Sequence, residues 1–242
     1  MSYFESRLRI NFEDFEKVKQ TITFCEQLGI KNLILEPKVN SDNINYGLIQ
    51  KLKAFSKVNI YFRFNLAPRT LDEFKSLLKN YNSFPHILSV ETPDKEIQVY
   101  AAKDSRVDIL SFSSQDIIKT ISPGVVSLVK QNNSFLELSL APIMRNNKAI
   151  QSKNFRNLYR FTKLILNLKP KYIISGNFDE LYSLRNPRNL LSVCHTLLGM
   201  PLIDAKKGFK DNVLRLLNRV NLRNDKTIIT NGVKIIKGGD VR

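Results

Sequence analysis

Histidine and cysteine are both scarce in this chain. Only His86 and His195 occur, with two cysteines, Cys25 and Cys194. Two isolated histidines cannot build the imidazole-rich cluster that zinc, iron or manganese sites usually need. The cysteines lack CxxC spacing and each falls on the apolar face of an expected helix. They therefore suggest neither a disulfide framework nor a zinc site, and they fit a reducing cytosol. No G-x-G-x-x-G, no G-x-x-x-x-G-K-[ST] and no G-x-S-x-G is present, so the common nucleotide-sheet and nucleophile motifs find no support. No stretch approaches the roughly 18 apolar residues of a membrane span, and the first residues carry no signal-peptide core. A soluble, cytoplasmic protein with no membrane partner is expected.

Acidic residues are also short relative to basic ones. Lys and Arg number 38 against 22 Asp and Glu, a formal net charge of +16 over 242 residues. Such a balance favours a polyanionic partner, nucleic acid or an anionic membrane surface. It is not spread evenly. Arg145, Lys148, Lys153, Arg156, Arg160 and Lys163 follow one another, and Arg156, Arg160 and Lys163 recur at three and four, on one helical face. Arg185 and Arg188 continue the bias. Phe155, Tyr159 and Phe161 interleave, but helical spacing places Phe155 in a core. The pattern points to phosphate contacts without a stacking platform for bases.

Short apolar runs alternate with helical periods. Strands are expected at Leu8–Ile10, Leu33–Leu35, Val58–Leu66, Ile87–Val90, Val107–Phe112, Phe135–Leu140 and Tyr172–Ile174. Between them, Phe12 to Leu28 shows a helical stripe closed by Gly29. Thr70 and Glu73 form a capping box before Leu71 to Tyr81. Further stripes run from Phe155 to Leu168, from Asn186-Pro187 towards Gly199, and from Val213 to Val220. Strand then helix, repeated at intervals of roughly 20–35 residues, indicates βαβ units and a parallel sheet. About seven units in this length favour a closed TIM-like barrel of the α/β class, with an open doubly wound sheet as the alternative. The barrel is expected over residues 1–224. A basic hairpin or tail follows over residues 225–242, marked by Asn231-Gly232.

Several strands run into a proline, at Pro37, Pro68, Pro93 and Pro142, which marks the C-terminal rim. Lys38, Arg69 and Arg145 sit just past these exits. Glu36, Glu91 and Asp108 could form an all-carboxylate magnesium site, or pair with neighbouring cations. Ser175-Gly176 could form an anion-binding nest, or a plain turn.

Four segments in order resemble the ribonuclease P and MRP thirty-kilodalton protein subunit family, in its archaeal form. They are Arg106-Val-Asp-Ile-Leu-Ser-Phe112, Phe135-Leu-Glu-Leu-Ser-Leu140, Ile173-Ile-Ser-Gly-Asn177 and Leu184-Arg-Asn-Pro-Arg-Asn-Leu-Leu191. The residues that match the family motif are Arg106, Asp108, Ser175, Gly176, Arg185, Pro187 and Arg188. Ile174 stands where the family's turn usually has a serine. The resemblance implies a TIM-like barrel related to metal-dependent phosphoesterases but without their histidine cluster. It implies that the protein contributes no catalytic residue and holds no cofactor, magnesium being held by the RNA. It also implies ribonuclease P RNA as partner, precursor tRNA indirectly, and a small ferredoxin-like protein subunit beside other proteins of the particle. An autonomous metal-dependent nuclease, or an enzyme acting on a phosphorylated metabolite, is the competing expectation.

Overall fold

The computed structural model describes residues 3–38, 46–82, 84–144, 147–225, 228–230 and 233–234. Its strands are β1 (Phe4–Ile10), β2 (Asn32–Pro37), β3 (Asn59–Leu66), β4 (Ile87–Val90), β5 (Ile109–Phe112), β6 (Phe135–Ser139) and β7 (Lys171–Ser175). The helices are α1 (Phe15–Gln27), α2 (Tyr46–Phe55), α3 (Leu71–Lys79), α4 (Lys95–Lys103), α5 (Gln115–Ile118), α6 (Pro123–Gln131), α7 (Lys148–Leu168), α8 (Pro187–Thr196), α9 (Leu202–Phe209) and α10 (Asp211–Asn224). Seven strands lie parallel in sequence order. The ring is drawn together where Leu8 bridges Phe178 just beyond β7 and the Arg9 amide donates to the Phe178 carbonyl at 2.8 Å. This is the barrel, and the open sheet is excluded.

Each expected strand is present, with ends moved by a few residues. Local chemistry sets the helix starts. Asp14 caps α1 through the Lys17 amide. Thr70 accepts from the Glu73 amide at 3.2 Å, while Glu73 reaches back to the Arg69 amide at 2.7 Å. Helix α7 begins seven residues earlier than the apolar stripe suggests. Asn147 accepts from the amides of Ala149 and Ile150, which adds two polar turns ahead of Phe155. Past Asp225, β8 (Ile228–Thr230) pairs antiparallel with β9 (Val233–Lys234). The expected Asn231-Gly232 turn and the final residues lie outside the described set.

Strand alternation produces two unlike surfaces. Outward residues such as Leu33, Leu35, Phe62, Leu88, Leu110, Leu136 and Ile174 pack against the helices in one large core. Inward residues near the strand starts are Ile34, Ile87, Ile109, Phe135 and Ile173, with Phe4. These meet Val213, Leu216, Leu217 and Val220, so α10 stoppers the N-terminal end of the barrel. Two residues further along β2 to β7 the interior turns polar: Glu36, Arg63, Ser89, Ser111, Glu137 and Ser175 are all buried, and in β1 a register shift between Glu5 and Leu8 brings Arg7 to the same layer.

Barrel closure depends on Gly176. A Cβ there would sit 2.1 Å from the Phe178 ring, and Phe178 is buried. Changing Gly176→Ala should destabilise the fold by about 1–3 kcal/mol, the usual range for an overpacked core. Urea unfolding followed by circular dichroism measures it. An unchanged midpoint would show that the seam can repack.

Candidate functional site

The polar layer inside the barrel is a connected network. The Arg7 guanidinium donates to Glu36 through Nε at 2.9 Å and Nη2 at 2.8 Å, and to Glu91 at 2.8 Å. It also reaches Ser111 at 2.9 Å and Glu137 at 3.4 Å. Arg63 donates to Glu137 at 2.6 Å and to Ser89 at 2.9 Å, with Glu36 3.1 Å away. Ser111 and Ser175 each donate to Glu137 at 2.5 Å, and Ser113 donates to Glu91. Two guanidiniums are thus enclosed by three carboxylates, with small serines making room for them. Burial pushes Glu137 up, but Arg63 and Arg7 outweigh it and hold the carboxyl down at about 2.

Glu5 belongs to the seam rather than to this cluster. Its carboxyl accepts from the amides of Arg7 at 3.1 Å and Gly176 at 3.0 Å. Burial raises it to about 8, against backbone hydrogen bonds that pull it down. The Gly176 amide is therefore occupied, and no helix starts there. Ser175-Gly176 closes the barrel and does not form an open anion nest.

The three carboxylates considered for magnesium do not converge. Glu36 and Glu91 meet at Arg7. Asp108 lies at the other end of the barrel, just ahead of β5, where Arg219 and Arg223 of α10 hold it at 3.1 and 2.9 Å. Burial raises the Asp108 carboxyl, with Arg223, the Leu88 amide and Arg219 opposing. Among the described residues no group of three or more His, Cys, Asp or Glu could hold a metal ion. The donor set inside the barrel does not fit one either, because Arg7 and Arg63 occupy the space between its three carboxylates and hydrogen-bond to them. His86 stacks on Phe64, and exposed His195 has Nδ1 2.9 Å from the Met200 carbonyl. Both cysteines are buried, and burial pushes both thiols up to about 12.

The basic residues face the other way. Lys148, Lys153, Arg156, Arg160 and Lys163 are all exposed on α7. The opposite side of that helix buries Asn154, Leu158, Phe161, Thr162 and Ile165. Lys163 lies 5.3 Å over the ring of half-exposed Tyr159. Phe155 is half-buried against the core, as its spacing implies. Arg145 lies outside the described residues. Arg185 is exposed and donates to the Tyr182 and Leu184 carbonyls. It shares a cavity with Asn147 and Ile150, at the start of α7. Arg188 is exposed elsewhere, on a groove with Tyr3 and Gly29, while Pro187 is buried at the first turn of α8. Arg106 pairs with Asp104 at 2.7 Å and donates to the Leu78 carbonyl at 3.0 Å, bracing the loop before β5.

Sequence reading did not single out Arg7, Arg63, Glu137 or Glu5. The available signal was a charge inside an apolar run at every second position, as in Tyr61-Phe-Arg-Phe-Asn65 and Phe135-Leu-Glu-Leu-Ser139. Lys38 and Arg69 do come together, lining a cavity of about 670 Å³ with Arg9, above Arg7.

Removing one partner of a buried pair strands the others. Arg7→Ala should cost about 3–5 kcal/mol, measured by chemical denaturation. A loss within experimental error would mean the carboxylates relax by taking protons. Glu5 gives a pH test. Between pH 4.5 and about 8 the unfolded chain ionises Glu5 while the folded one keeps its proton. Stability contributed there is complete below 4.5 and lost as pH rises through about 8. Glu5→Gln keeps an acceptor for the amides and removes the proton. Its denaturation midpoint should decline less than the parent's from pH 5 to 8. Parallel curves would refute the assignment.

The fold recurs in solved structures of low sequence identity. A chain of the cryo-EM structure of archaeal ribonuclease P with mature tRNA matches with TM-score 0.79 and 18% identity, over 96% of this chain and 98% of that one. A putative prolidase from Bifidobacterium longum matches at 0.66 and 9% identity, over 90% and 70%. An A. niger ochratoxinase matches at 0.60 and 9%, over 89% and 71%. These likenesses establish the barrel. No curated protein sequence matches the chain. The model of the family described as RNase P subunit p30 matches residues 6–225, nearly the whole barrel, and the chain belongs to that family.

Proposed function

We propose that this chain is a protein subunit of ribonuclease P that assists RNA-catalysed removal of the 5′ leader from precursor tRNA. The observation that carries the reading is the division of its charges. Guanidiniums and carboxylates inside the barrel pair with one another, while five cations on α7 face solvent. Among the described residues none of those five forms a close ion pair, although Lys153 is near enough to Asp116 to help lower its carboxyl. An exposed cationic face of this kind suits phosphate, and a +16 chain screens the repulsion between RNA segments brought together. The particle's RNA is the direct partner and precursor tRNA the indirect one, with magnesium held by the RNA. A small ferredoxin-like protein and other protein subunits complete the assembly, in the cytoplasm. The structural likeness to a chain of archaeal ribonuclease P supports this assignment, as does the family. A metal-dependent phosphoesterase would need free ligands inside the barrel, where Arg7 and Arg63 sit.

Phosphate contacts release counterions, so RNA affinity should fall steeply with salt. Replacing Arg156 and Arg160 together by Ala should flatten the log–log slope of affinity against salt by roughly one to two units. Filter binding to the particle's RNA across a salt series gives the slope. Folding should stay within about 0.5 kcal/mol of the parent, since both side chains are exposed. An unchanged slope from a folded variant would mean that the RNA docks elsewhere.

A further inference from the structure

A second cavity, of about 900 Å³, opens at the C-terminal mouth between the β6–α7 and β7–α8 connections. Three polar groups on its wall lack partners. Asn154 is 2% exposed and its amide nitrogen donates to the Pro142 carbonyl at 2.9 Å, which turns Oδ1 away from that bond. That oxygen has no hydrogen-bond partner, nor has Oδ1 of Asn177, which is 3% exposed. Arg9, which lines the same cavity, has no acceptor for its Nε. Two acceptors and one donor, all closed off from water, thus belong to residues that line one cavity. Leaving such groups unmet is unfavourable, so the wall fits something that brings hydrogen bonds of both kinds.

The lip of the same cavity is apolar. Tyr182 is 86% exposed, Ile150 41% and Met144 37%. Its charge differs from that of the chain as a whole. Asp116, Asp179 and Glu180 line it against Arg9 and Arg185. Arg9 lies 3.9 Å from Asp179, Asp116 pairs with Lys119, and Arg185 is turned onto backbone carbonyls. A phosphate entering here would meet carboxylates, unlike one approaching the outer face of α7.

We propose that this cavity receives an extended polypeptide segment of another protein subunit of the particle. The inference rests on the reading that the chain works within a multi-subunit assembly. An extended backbone offers N–H groups and carbonyls along one edge. As the Asn154, Asn177 and Arg9 side chains turn outward, its amides donate to the two oxygens and a carbonyl accepts from Arg9 Nε. An apolar side chain of the segment packs on Tyr182 and Ile150, and a Lys or Arg faces Glu180. Tyr and Met are enriched at the centres of protein interfaces, which suits this lip.

A photo-crosslink tests the occupant. Tyr182 is replaced by benzoylphenylalanine, the particle is reconstituted from its RNA and purified protein subunits, and the sample is irradiated. The expected product is a protein–protein adduct that survives ribonuclease digestion. An adduct to RNA would overturn the proposal in favour of a nucleotide, and no adduct would overturn it outright. In a second arm, Tyr182→Ala combined with Ile150→Ser should weaken binding of the crosslinked subunit to the isolated chain by about tenfold, the effect of losing one aromatic anchor. Unchanged affinity in a folded variant sinks the idea. The salt slope for RNA should stay as in the parent. If the Arg156/Arg160 variant keeps its slope while the protein adduct still forms, the α7 reading fails and this one stands.

Discussion

Arg7 lies where several parts of the molecule meet. Its guanidinium is 1% exposed and touches carboxylates from β2, from β6 and from the end of β4. Strands far apart in the ring are thereby tied through its centre, a job that inward apolar side chains do in many barrels. A guanidinium can do it because it is planar, always charged and carries five donors. It also decides what the barrel can hold. With Arg7 and Arg63 in place, guanidinium fills the space between the carboxylates that a metal would need, and the interior becomes a brace.

That arrangement sends the remaining charge outward. The surplus of Lys and Arg cannot be absorbed by so few acids, most of the buried ones being engaged already. It gathers on the outer face of α7, whose other side is fixed by Leu158, Phe161 and Ile165. The two ends of the barrel are treated differently. At the N-terminal end α10 inserts an apolar stopper, and Arg219 and Arg223 reach Asp108 and nearby carbonyls. At the C-terminal end the mouth stays open, with two cavities lined by the loops that follow the strands.

Much of the architecture was legible because barrels repeat. Each strand showed as an apolar run, and the chain contained enough of them for a closed ring. The helices with strong caps or long stripes, α1, α3, α7, α8 and α10, were also visible. Helix α4 buries Gln98, Ala101 and Ala102 beside Ile97, side chains too small or too polar to stand out as a stripe. The buried face of α6 is Val125, Val126 and Val129, β-branched residues that favour strand, and α9 follows α8 too closely to stand apart. The interior was the main omission. A run such as Phe135 to Leu140 looks uniformly apolar because its outward residues dominate, and the inward Glu137 reads as an interruption. The start of β1 was missed for the same reason, since Glu5 and Arg7 made it look like surface. The basic helix face was legible from spacing alone, whereas the cavity wall of Arg9, Asn154 and Asn177 was not. Those three are brought together only by folding.

The seam between β1 and β7 has a consequence for how the molecule is made. The Glu5 carboxyl and the Gly176 amide that it binds are 171 positions apart. A chain emerging from the ribosome presents its first strand long before the partner segment exists. Until then Arg7 has only Glu36, and later Glu91 and Glu137, to answer its charge. Contacts of such long sequence separation slow the final step of folding. They also leave an open sheet edge exposed in the interval. The charges along β1 deter that edge from pairing with a neighbouring nascent chain. The same residues that brace the finished barrel thus guard it while it is still incomplete.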